Sequence, residues 1–157
     1  MATIKKKPSG YGQFGGFSPY GNVTALAFFL ATNASGAVID SDTTVAVASG
    51  DVIDLGELPE GMRLDDAQIL IKTGMTATVT GSLGFKYVDG DSTEVPQDAA
   101  YFINAGDLAT AGRLRANTGK LVTLPKAARL ILTTGGAAND KASDIKVIVS
   151  GELTGPR

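Results

Sequence analysis

Apolar and polar positions alternate along the chain in short segments, and glycine, proline, asparagine and aspartate separate them. Val23-Thr24-Ala25-Leu26-Ala27-Phe28-Phe29-Leu30 reads as an apolar strand closed by the turn Asn33-Ala34-Ser35-Gly36. A second strand is expected around residues 38–47. Residues 51–58 alternate acidic and apolar side chains and stop at Pro59, as a half-buried strand does. Residues 67–73 and 76–88 give two more strands divided by Gly74, with a bulge expected near Gly81 or Gly84. Asp89-Gly90-Asp91 is a hairpin-type turn, and 99–103 a short strand. Residues 104–118 carry the weakest pattern, with room for a single helical turn over 107–111 between Gly106 and Gly112. Strands at 120–124, 128–134 and 145–153 complete the chain, divided by Pro125 and Gly135-Gly136. Strands at this spacing predict an all-β fold, a jelly-roll-like β-sandwich of about eight short antiparallel strands over residues 22–157.

The pattern also repeats. Leu58-Pro59-Glu60-Gly61-Met62-Arg63-Leu64 is echoed by Leu124-Pro125-Lys126-Ala127-Ala128-Arg129-Leu130. Each copy runs through an apolar strand into Thr-Gly, at Thr73-Gly74 and Thr134-Gly135, and then into a strand ending in Val-x-Gly. Two related half-units suit two packed sheets.

The first twenty-one residues break the alternation. Lys5, Lys6 and Lys7 precede a stretch in which Tyr11, Phe14, Phe17 and Tyr20 stand singly among glycines. Isolated aromatics between glycines build neither a helix nor a strand face, yet each fills a pocket on a partner well. The segment 1–21 is therefore expected to be an extended, basic docking arm, with those seven side chains as its contact residues.

Composition narrows the chemistry. The chain has 157 residues, 43% hydrophobic and 19% charged, which suits one folded domain plus an arm. It contains neither cysteine nor histidine, which removes disulfides, thiolate nucleophiles, zinc sites and the commonest proton carrier. Of the carboxylate groups, Asp40/Asp42, Asp65/Asp66 and Asp89/Asp91 with Glu94 are the ones spaced for hydrolysis or calcium, but all fall in apparent turns. No phosphate-binding glycine motif precedes a helix. Neither a cofactor nor a metal is expected, and the chain reads as non-enzymatic. A net charge of −2 gives no drive toward nucleic acid, so the lysines and aromatics of the arm favour protein over single-stranded nucleic acid. The longest apolar run, residues 25–31, is too short to cross a membrane, so no membrane partner is expected either. The competing reading is a ligand-binding sandwich, such as a tail-fibre or carbohydrate-binding module, although the lack of tryptophan weighs against an aromatic binding face.

Three stretches, residues 50–64, 83–90 and 124–153, resemble the head decoration or cement proteins of tailed bacteriophages. The resemblance covers roughly residues 22–153 and consists of strand and turn patterns with no catalytic motif. It implies a jelly-roll-like subunit that trimerises on the outer surface of a capsid, at threefold and quasi-threefold positions. Its partners would be the major capsid protein and further copies of itself as a homotrimer. It would be made in the bacterial host cytoplasm and end in the virion.

Overall fold

The computed structural model describes residues 1–6 and 23–154. Among these residues ten strands follow one another: β1 (Thr3–Lys5), β2 (Val23–Thr32), β3 (Val52–Leu58), β4 (Met62–Thr73), β5 (Thr80–Tyr87), β6 (Asp98–Asp107), β7 (Gly112–Arg115), β8 (Val122–Thr123), β9 (Ala128–Gly135) and β10 (Ser143–Leu153). One sheet has the order β1-β3-β9-β5-β6, the other β2-β10-β4-β7, with β8 also paired to β4. Every pairing is antiparallel except β1 with β3. The molecule is a helix-free two-sheet sandwich among the described residues, and a jelly-roll arrangement is compatible with it.

Alternation generates the core. In β5, Leu83, Phe85 and Tyr87 point inward, and opposite them β10 contributes Val147 and Val149. Edge-to-face contacts link Phe85 to Tyr87 and Tyr101 at 5.6 and 5.4 Å, and Tyr101 to Phe102 at 4.7 Å. Each large apolar side chain so buried contributes about 1.5–3 kcal/mol. The expected irregularity near Gly81 and Gly84 lies on the β6 side of β5, where register shifts separate Gly81 from Leu83 and Leu83 from Phe85. Toward β9 the same strand stays in register from Thr80 to Tyr87.

The internal echo has a structural counterpart. The first half supplies β4 and β5, the second β9 and β10, so each half places one strand in each sheet. The halves pair reciprocally, β4 with β10 and β5 with β9. The two Leu-Pro corners meet directly: the Leu124 amide donates to the Met62 carbonyl and the Gly61 amide to the Leu124 carbonyl, both at 2.9 Å.

Two expectations change. Residues 38–47 form turns with isolated bridges, Thr32 to Val38 and Ala37 to Ala46, instead of a strand. Gly36 explains part of this: its φ is +81°, and a Cβ there would lie 2.0 Å from the Asn139 carbonyl oxygen, so the loop folds tightly onto the 136–141 turn. The weak stretch 104–118 contains no helical turn but the tail of β6 and the short β7, which closes one side of the sandwich.

Asn139 fastens that loop region. Its side chain is 1% exposed, accepts from the Thr76 amide at 3.0 Å, and donates to Thr32 Oγ1 at 3.1 Å and to the Lys141 carbonyl at 2.9 Å. The connections after β2, β4 and β9 are thereby tied together.

Candidate docking surface

The first six residues belong to the sandwich. Ile4 is in the core, β1 lies alongside β3, and the Ala2 amide donates to Asp51 Oδ1 at 2.8 Å. The Lys5 amide donates to Asp42 Oδ1 at 3.0 Å, and the Asp42 amide returns a bond to the Lys5 carbonyl at 3.0 Å. Lys6 bridges to Ser41 and donates its ammonium to the Phe29 carbonyl. Burial lowers the pKa of that ammonium, and the charge of Asp40 opposes the shift. Lys7, Tyr11, Phe14, Phe17 and Tyr20 lie outside the described residues. The described chain lies against one sheet as far as Lys6 and in the other from Val23.

The acidic groups are engaged by neighbouring side chains and backbone amides. Asp65 pairs with Arg63 at 2.6 Å, Asp66 pairs with Arg115, and Asp89 pairs with Lys126 at 2.8 Å. The Asp89 carboxyl is held below its usual pKa mainly by its bond from Lys126, and Asp91 by the amides of Gln97 and Ser92. Asp40 and Asp42 sit beside β1, where Asp42 caps the Lys5 amide. No group of three or more acidic side chains suited to a metal ion occurs among the described residues. No described helix is long and apolar enough to cross a membrane. A shallow hollow of about 440 Å³ lies over the outer face of β9 and β5, lined by Met1, Thr3, Val52, Ile131 and Thr133 among others.

The surface that stands out is β2. It is the last strand of its sheet among the described residues, and its ten residues include no charged side chain and no proline. Its inward residues, Leu26, Phe28 and Leu30, are buried. Its outward row is Val23, Ala25, Ala27 and Phe29, all exposed and all apolar, with Val23 77% and Phe29 50% accessible. Ile148 of β10 lies beside Ala27, and Lys146 places its ammonium 5.3 Å from the centre of the Phe29 ring. Long uncharged sheet edges are usually blunted by lysine, proline or a covering loop. Among the described residues, cover lies only at one end, where the Ile39 amide reaches the Ala31 carbonyl at 2.9 Å and Lys6 reaches Phe29. The sequence showed β2 as an apolar strand, yet strand order alone makes it an edge.

Fold and surface together define, among the described residues, a helix-free two-sheet sandwich with one uncharged, apolar edge strand. No family profile matches the sequence, and no curated protein resembles it. Solved structures do match the fold. A chain in the capsid of Ralstonia phage GP4 aligns with a TM-score of 0.65 and 16% identity over 96% of this chain and 97% of its own. A chain of the cyanophage Pam1 capsid asymmetric unit aligns at 0.58 and 18% identity, over 88% and 89% of the two chains. A chain in the acid-stable capsid of Helicobacter pylori bacteriophage KHP30 aligns at 0.51 and 14% identity, over 85% and 94%. The chain therefore has the fold of phage capsid chains.

Proposed function

We propose that the protein is a non-enzymatic structural subunit of a phage virion, and that within the head it is a decoration subunit on the outer surface of the coat. The observation that carries this reading is the nearly end-to-end match, 96% of this chain on 97% of a chain in the GP4 capsid. Near-complete coverage in both directions makes that chain about as long as this one, a single small sandwich. Such a unit suits an added subunit better than a tile that must seal a shell on every side. The inert surface agrees, because a subunit that binds only the assembled lattice stabilises it by linkage and needs no chemistry of its own. Trimerisation at threefold positions and contact with the major capsid protein complete the reading, with avidity across several contacts.

In this reading the segment from Lys7 to Tyr20 supplies the docking side chains Tyr11, Phe14, Phe17 and Tyr20. The test is particle occupancy. The protein should co-sediment with intact virions and occupy fixed lattice positions in averaged images, and its absence from purified particles would overturn the virion role. Replacing residues 8–21 with a glycine-serine linker of equal length should leave the sandwich folded and lower occupancy. Undiminished occupancy would remove the docking role from that segment alone.

A further inference from the structure

We infer that the free edge of β2 pairs with the β2 edge of a second copy of this chain, antiparallel about a twofold axis at Ala25. Parity settles which backbone groups are free. In an antiparallel strand the N–H and C=O of one residue point the same way, and successive residues alternate. The Phe29 and Ala31 carbonyls are taken from the side away from β10, by Lys6 and Ile39. The pairing of β2 with β10 runs without a register shift from Val23 to Thr32. Odd-numbered residues therefore face the free edge. Lys6 occupies Phe29 and Ile39 occupies Ala31, which leaves Val23, Ala25 and Ala27 without a partner on that side among the described residues.

Those three residues are symmetric about Ala25. Antiparallel self-pairing sets Ala25 against Ala25 of the partner subunit and Val23 against Ala27 of the partner subunit. Each such pair exchanges two backbone hydrogen bonds. Odd residues stay opposite odd residues, so the outer row meets the outer row and the buried row continues the buried row. The side chains also fit, because alanine opposite alanine crowds nothing and the highly exposed Val23 packs beside a small residue. β2 carries no charge, so self-pairing opposes no like charges, the penalty that normally forbids joining identical edges. A contact of this kind is isologous and uses the same patch on both copies. It is independent of the virion reading and can coexist with a threefold contact elsewhere on the subunit.

Sedimentation equilibrium of the full chain tests this. The wild type should form dimers that dissociate on dilution, with amide exchange slowed at Val23, Ala25 and Ala27 only in the dimer. Ala25→Pro removes an N–H that makes no bond to β10, so it should leave the melting temperature close to wild type while weakening dimerisation at least about tenfold. If that variant fails to fold, a charge pair keeps the question open to experiment. Ala25→Lys and Ala25→Glu should each be monomeric alone and form a heterodimer when mixed, since the two substituted side chains meet on the axis. A monomeric wild type overturns the proposal: slowed exchange at these amides would then assign the edge to residues 7–22 of the same chain, and fast exchange would leave it unpaired. A dimer that Ala25→Pro and the charge variants do not weaken also overturns it.

Discussion

Replacing Asn139 with alanine should be among the most damaging single changes in the molecule, although the residue lies in a turn. The side chain joins three separate connections: Thr76 after β4, Thr32 at the end of β2, and Lys141 before β10. Each of these bonds is worth about 1 kcal/mol net, and the partly buried Thr76 amide left unpaired adds a desolvation cost of up to about 1 kcal/mol. A loss of about 3–4 kcal/mol follows, a large share of the ~5–15 kcal/mol that holds a domain folded. For a chain of this size the melting temperature should fall by roughly 10 °C. Urea titration followed by fluorescence or circular dichroism measures the free energy, and hydrogen exchange should show the loops opening first. Asn139→Asp should not rescue, because it keeps the acceptor for Thr76 but turns a second acceptor toward the Lys141 carbonyl. A measured loss below about 1 kcal/mol for Asn139→Ala would refute the claim that this side chain fastens the loops.

Three further outcomes follow from named contacts. Ile4→Ala should cost about 2–4 kcal/mol in a denaturant titration, because Ile4 is a core side chain; a neutral effect would return β1 to the status of a loose terminus. Arg129→Ala should cost about 2–3 kcal/mol, since it strips the 3.0 Å partner from the largely buried Asp54, and the double change Asp54→Asn with Arg129→Met should recover much of the loss. Acid should destabilise the fold. Asp91 is held down by the Gln97 and Ser92 amides and Asp107 by Thr110 and the Ala109 amide, while at Asp98 burial raises the pKa but the bonds from Lys120 and the Ala100 amide outweigh it. Because these folded pKa values lie below the unfolded ones, their contribution is complete above about pH 5 and is lost as the pH falls through the unfolded and then the folded values. The urea midpoint should drop between about pH 5 and pH 3 and hold steady from about pH 6 to pH 8; a flat profile through the acidic range would contradict the shifts.

Alternation alone determined that this is a two-sheet β protein, where most strands lie, and that it has two echoed halves. Alternating burial is a local property, written residue by residue, and absent cysteine and histidine remove chemistry wherever the chain goes. The sequence also exposed β2 as an uncharged apolar strand. It misjudged residues 38–47, whose strand-like composition is overridden by the tight packing of Gly36 against Asn139. It likewise read Lys5 and Lys6 as part of an arm, because nothing local tells a basic tail from an edge strand paired with residues about fifty positions away. Only the tertiary structure decided strand order. That order set β4 of the first half against β10 of the second, made Asn139 a junction, and left the Val23–Ala27 stretch of β2 without a neighbour on the side away from β10 among the described residues. The physical reason is the same in each case: which backbone groups remain unpaired depends on contacts between distant segments, and no local pattern carries that information.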